Sequence, residues 1–179
     1  MAGFPERIAS DELFFDSGIV SHGYALHLRD YDVVIDVPAA LPPDVPIGDT
    51  TGSYIKGRYR YRFTHCPEAH IVSCVADESW RRSWDDVFID YEAWEAAGNP
   101  EGFVWGVNWA DAYPGLSYVT NSLLATSWTE RLDNEMHEVA VETNTFVLRL
   151  VCHDLQIHRL AVGDPRTQTL ADLEQPEPV

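Results

Sequence analysis

The chain has 179 residues, 45% of them hydrophobic, and a formal net charge of −17 from 12 basic and 29 acidic side chains. That length supports one domain with a real core and is short for two. The charge disfavours nucleic acid and anionic membranes, which would be repelled at long range, and favours a basic partner.

Taken from the start, MAGFPERIASDELFF carries acidic residues where a signal peptide needs a basic region. No run of about 18 apolar residues follows, so a cytoplasmic protein is expected. The three cysteines, Cys66, Cys74 and Cys152, are odd in number and widely spaced, which suits reduced thiols rather than a disulfide framework. Residues 1–10 have no period and read as a flexible arm. Strands are expected over about His22 to Arg29 and Asp32 to Val37, joined by a turn at Arg29-Asp30-Tyr31-Asp32. Ala39 to Tyr54, with three prolines and two glycines, reads as a long loop.

Arg58 to Cys66 is the clearest strand. Tyr59, Tyr61, Phe63 and His65 share one face, and Arg58, Arg60, Arg62 and Thr64 the other. The arginine row is read as pairing with the protein's own carboxylates rather than as an anion grip. Pro67 ends this strand, and Ala69 to Ala76 is expected to form a hairpin with it.

From Asp77 the period changes. Trp80, Trp84, Val87, Tyr91 and Trp94 recur at helical intervals and predict an amphipathic helix lying on a sheet, with a second piece beginning at Asp85 or Asp86 if it breaks near Ser83. Gly98 and Pro100 stop it. Phe103, Trp105, Val107 and Trp109 alternate in an extended segment, and Tyr113-Pro114-Gly115 reads as a turn. A second helix runs from a cap at Asn121 or Ser122 to about Leu132. Then Met136 to Val162 reads as three antiparallel strands, reversing at Thr143-Asn144-Thr145 and at His153-Asp154. Residues 164–179, proline-containing and acidic, read as a disordered tail.

Strands, then helices, then strands, without alternating βαβ units, predict an α+β fold. The expected form is a single domain over residues 11–163, an antiparallel sheet or half-barrel with two helices packed on one face.

Candidate chemistry is sparse. His65, Cys66, His70, Cys74, Cys152, His153 and His158 include metal-ligand types, but no Cys-x-x-Cys pair or helical His pair is present, so no metal is expected. No cofactor loop and no nucleophile motif appear, and no catalytic residue is assigned. The best candidate for a partner-binding surface is the aromatic stretch with Phe103, Trp105, Trp109 and Tyr113, together with Asp85 and Asp86; Trp and Tyr are frequent interface anchors. Filling the core is the competing role for those aromatics.

The runs FFDSGIVSHGYALHLRDYDVVIDV, YRYRFTHCPEAH and ETNTFVLRLVCHDLQIHRL resemble the YxiG-like family of uncharacterised bacterial proteins, over most of residues 13 to 162. Cys152 stands where that family's pattern would have phenylalanine. The strand-turn-strand ending is also similar to the sheet domains of immunity proteins found beside polymorphic toxins. The resemblance brings no catalytic residues. It implies a non-catalytic soluble binding protein, an immunity protein that neutralises a basic protein such as a toxin. Two alternatives remain: a small enzyme with a His/carboxylate site in the sheet, using His65, His70 or His153, and a self-associating structural subunit.

Overall fold

The computed structural model describes residues 3–25, 28–37, 57–105 and 110–160. Among them, in chain order, are α1 (Phe4–Ala9), β1 (Gly18–Tyr24), β2 (Tyr31–Val37), β3 (Gly57–Thr64), β4 (Glu68–Ser73), α2 (Asp77–Arg82), a 3-10 turn (Asp86–Phe88), α3 (Tyr91–Ala96), β5 (Ala112–Tyr118), α4 (Leu123–Leu132), β6 (His137–Thr143), β7 (Phe146–Cys152) and β8 (Asp154–Arg159). The strands form two antiparallel sheets, ordered β1-β2-β3-β8 and β4-β7-β6-β5, neither closed into a barrel. This is an α+β fold with a single core. Val33, Ile35, Tyr61 and Phe63 from the first sheet and Val139, Val141, Leu148 and Leu150 from the second belong to one buried cluster, so the sheets pack face to face.

The alternation in β3 places its residues as the pleat requires. Tyr59, Tyr61 and Phe63 enter the core, and the arginines face outward against β2, where Arg62 lies opposite Asp32 and Arg58 opposite Asp36. Arg62 grips Asp32 through two hydrogen bonds of 2.8 Å, and Arg58 approaches Asp36 at 3.9 Å. Cross-strand pairing with the protein's own acids therefore engages Arg58 and Arg62 of this row.

β3 and β4 do not form a hairpin, and the chain does not reverse at His153-Asp154. β3 pairs with β8 and β4 with β7, so both chain segments cross from one sheet to the other at a shared corner. The short link that reads as a turn is held open. His65 adopts a left-handed φ of 46°, its N–H donates to Asp30 Oδ1 at 3.0 Å, and the Cys66 N–H donates to the Arg29 carbonyl at 2.6 Å. From the other segment, the His153 N–H donates to the Thr64 carbonyl at 2.9 Å. Asp30 is buried and also takes two bonds from the Arg29 guanidinium, which holds its carboxyl below the usual range.

Residues 3–10 are not a loose arm. Pro5 occupies the first turn of α1, a position where its missing N–H leaves no bond unmade, and Phe4 and Ile8 are buried in the shared core. Phe4 stacks on His137 with ring centroids 4.2 Å apart, and Arg7 pairs with Asp154. The absence of a period was misleading because two apolar side chains suffice to dock a six-residue helix.

The tryptophan stripe does not rest on a sheet. The helix breaks after Arg82, where Ser83 turns its hydroxyl to the backbone of Phe103, and restarts at α3 because the Asp90 side chain accepts the Glu92 and Ala93 N–H groups. No residue of α2 or α3 is buried. Trp84 is 85% exposed and Tyr91 faces solvent. The aromatics contact one another instead: Trp80 and Phe103 lie 4.5 and 4.7 Å from Trp105, ring to ring, and Tyr91 lies 5.4 Å from Trp94. A small lobe results, with Phe88 buried against Gly102, where any Cβ would come within 2.2 Å of the ring. The helices packed on the sheets are α1 and α4, and α2 touches only the end of β4, where Trp80 Nε1 donates to Ser73 Oγ at 3.2 Å.

Tyr113-Pro114-Gly115 is part of β5 rather than a turn. β5 is an edge strand, where proline withdraws no donor that a neighbour needs, and the register slips between Ala112 and Gly115 as a bulge. The loop expected over 39–54 and the tail over 164–179 lie outside the described residues.

Candidate functional site

Two regions bring chemistry-bearing side chains together. The first is the lobe between β4 and β5. Of the expected surface residues, Phe103 and Trp105 are half-buried in the lobe's own aromatic contacts, while Tyr113 and Asp85 are exposed. Asp86 lies in the 3-10 turn. Trp109 lies outside the described residues. Residues 77–101 contain eight carboxylates and two arginines. Both arginines turn to Glu78, and Arg82 also pairs with Glu101. The lobe is thus acidic and presents Trp84 and part of Trp80 to solvent. Trp84 is the most exposed aromatic among the described residues; its helical spacing points to the core, and the adjacent Asp85-Asp86 pair is the contrary signal.

The second region is the outer face of the second sheet, under α4. A pocket of about 260 Å³ is lined by Glu68, His70, Leu124, Glu138, Arg149 and Val151. Strand register explains this gathering. Val151 of β7 lies opposite Glu68 of β4 and Glu138 of β6, and Arg149 lies opposite His70. Residues two apart share a face, so these charged groups converge on one side. Ser122 caps α4 by accepting the Ala125 N–H at 2.9 Å and donates its proton to Glu138 Oε2. Trp128 Nε1 donates to Glu68 Oε2 at 2.8 Å, and the Arg131 guanidinium covers the Trp128 ring at 3.6 Å.

Glu138 is 2% exposed. Its Oε1 lies 2.6 Å from Arg149 Nη2 as an ion pair, yet accepts no well-aligned hydrogen bond from any described residue. α4 covers the outer face of β6, so Glu138 is buried although it alternates with the core residues of that strand. The pattern that could have revealed the pocket is the placement of Glu138 and Arg149 on neighbouring strands of one hairpin, diagonal to each other across the register.

Replacing Ser122 with alanine removes both the helix cap and the hydroxyl donor to a buried carboxylate. Stability is expected to fall by about 1–3 kcal/mol, read from urea unfolding; a change within a few tenths would show that the α4 clamp carries nothing.

Among the described residues, the histidines named from the sequence fall in separate places. His65 and His153 meet at the corner with ring centroids 5.9 Å apart, whereas His70 lies in the pocket. Among the described residues no three His, Cys, Asp or Glu groups are placed to hold a metal ion. Burial pushes the Cys66 thiol up to about 12 and raises that of Cys152 as well, the opposite of what a nucleophilic thiolate requires.

Among the described residues no helix is long and apolar enough to cross a membrane. The family model described as YxiG-like protein matches residues 7–169. No curated protein matches the chain.

Proposed function

The chain belongs to the YxiG-like protein family, and we propose that it is a non-catalytic cytoplasmic binding protein, an immunity protein that neutralises a basic protein such as a toxin. The observation that carries this reading is Trp84, a large aromatic 85% exposed on a lobe with eight carboxylates and two arginines. An exposed indole is costly to leave in water and well suited to fill a partner's pocket, while surrounding acid steers a cationic surface into register. The lobe's aromatics hold one another, so this surface is built without drawing on the core.

The test uses the full chain and a basic protein encoded beside it. Titration calorimetry should give a stable complex that Trp84→Ala weakens by about 2 kcal/mol or more. Asp85→Asn should slow association chiefly at low salt, since rim charge acts through steering that salt screens. Failure of the complex to form, or an affinity indifferent to Trp84→Ala, would exclude this reading.

A further inference from the structure

Four strands lie at sheet edges, β1 and β8 in one sheet and β4 and β5 in the other. An open edge invites a further strand, and three of these carry a device against one. β1 bulges between Ile19 and Ser21, and its Ile19 N–H already donates to the Ala110 carbonyl at 2.8 Å. β5 contains Pro114, slips register and is packed by α1. β8 gives its Leu155 carbonyl to the Arg7 guanidinium at 3.2 Å and ends in Arg159. β4 has none of these. Its register with β7 runs unbroken from Glu68 to Ser73, and the strand holds no proline, lysine or arginine.

The Cys74 N–H donates to the Thr145 carbonyl at 2.8 Å, opposite it in the same register. Backbone groups alternate along an antiparallel strand, so His70 and Val72 also turn theirs to β7, and Ala69, Ile71 and Ser73 turn theirs outward. Ile71 lies opposite Leu148 on the core-facing side, yet is 49% exposed, and Val72 on the other face is 52% exposed. A strand laid along this edge would gain backbone hydrogen bonds and cover Ile71. The surroundings select its charge. Glu68 is the strand's one carboxylate, and the acidic lobe begins at the far end, where Trp80 is bonded to Ser73. A second copy would bring a net charge of −17 against another −17. We propose that the edge of β4 receives a strand of the basic partner, one that alternates apolar with cationic side chains. Residues opposite each other share a face, so the apolar row would extend the core beside Ala69 and Ile71, and the cationic row would lie outside with Glu68. This rests on the reading that the partner is a basic protein, and adds how that protein docks.

The probe is an acetylated and amidated hexapeptide of alternating valine and lysine, titrated into the full chain and followed through the backbone amide signals by NMR. Binding should saturate, shift the signals of Ala69, Ile71 and Ser73, and slow their exchange with solvent. The same peptide with N-methylated valines lacks the donors that face β4 and should not bind. A valine–glutamate analogue should bind at least about tenfold more weakly. Ile71→Pro removes an outward N–H that β7 does not use, so an edge strand tolerates it, and it should weaken the valine–lysine peptide at least about tenfold. If Ile71→Pro does not fold, Ile71→Lys takes its place with the same expected weakening, because it sets a cation in the apolar row. Ile157→Lys, on the β8 edge, should change nothing. No saturation, equal binding of the N-methylated or glutamate peptide, or indifference to the Ile71 variants would each overturn the proposal. So would a dimer in sedimentation that Ile71→Pro dissolves, because the edge would then belong to a second copy. With the basic protein encoded beside the chain, a complex that Trp84→Ala weakens and Ile71→Pro leaves intact would overturn the strand docking alone, whereas absence of any complex would end both readings.

Discussion

Replacing Tyr61 with alanine is expected to lower the unfolding free energy by about 3–5 kcal/mol, the range for removing a large aromatic from a packed core. Tyr61 is completely buried in β3, meets Phe14 edge-on with centroids 4.8 Å apart, and donates its hydroxyl to Asp11 Oδ1 at 2.9 Å. The ring and the hydroxyl are separable. Tyr61→Phe keeps the packing and deletes the donor, so about 1–3 kcal/mol should be lost. Urea denaturation of the two variants measures both.

The same contact sets a pH dependence. Burial raises the Asp11 carboxyl above its ordinary 3.8, against the opposing hydrogen bonds from Tyr61, Phe14 and Leu13. In the folded chain Asp11 therefore holds its proton to higher pH than in the unfolded chain. Its contribution is complete below the unfolded value and is lost as pH rises through the raised folded one. Tyr61→Phe removes a bond that stabilises the carboxylate, so the loss should move to higher pH, and Asp11→Asn should abolish it. Asp30 acts with the opposite sign. Its carboxyl is lowered by Arg29, so its contribution is present above the unfolded value and fades as pH falls. A stability curve that keeps its slope in Asp11→Asn would assign the effect elsewhere.

Ile8→Ala should cost about 2–5 kcal/mol even though it lies within ten residues of the start of the chain. Ile8 is buried in the cluster shared by both sheets, and its helix also ties Arg7 to Asp154 and to the Leu155 carbonyl at 3.2 Å. Removal of residues 1–10 should cost at least as much. Thermal unfolding of either variant near the parent midpoint would restore the view of this segment as a loose arm.

What the sequence reveals depends on whether local pattern and distant packing agree. β2, β3, β6 and β7 were legible because one face of each carries most of the large apolar side chains, and those faces enter the core. α4 was legible from its cap at Ser122 and its end at Leu132. The corner was hidden because His65-Cys66-Pro67 resembles any short turn; what holds it open is Asp30, 35 residues from His65 in sequence. β5 was hidden by Pro114 and Gly115, which signal a turn unless the strand lies at an edge. The tryptophan stripe had the right period and the wrong destination, since aromatics at helical spacing can as well gather over a local knot as over a sheet. The pocket was the least legible feature. It draws on three strands and a helix, and only their register brings Glu68, Glu138 and Arg149 to one place.

The shared corner also bears on how the chain acquires its shape. β3 must find β8, and β4 must find β7, across roughly seventy to one hundred residues of sequence, so each layer depends on a late pairing and assembly is expected to be slow. During synthesis the second layer waits for β7, which ends at Cys152, and the first for β8, which ends at Arg159, so a nascent chain halted before β7 would carry two unfinished edges at once.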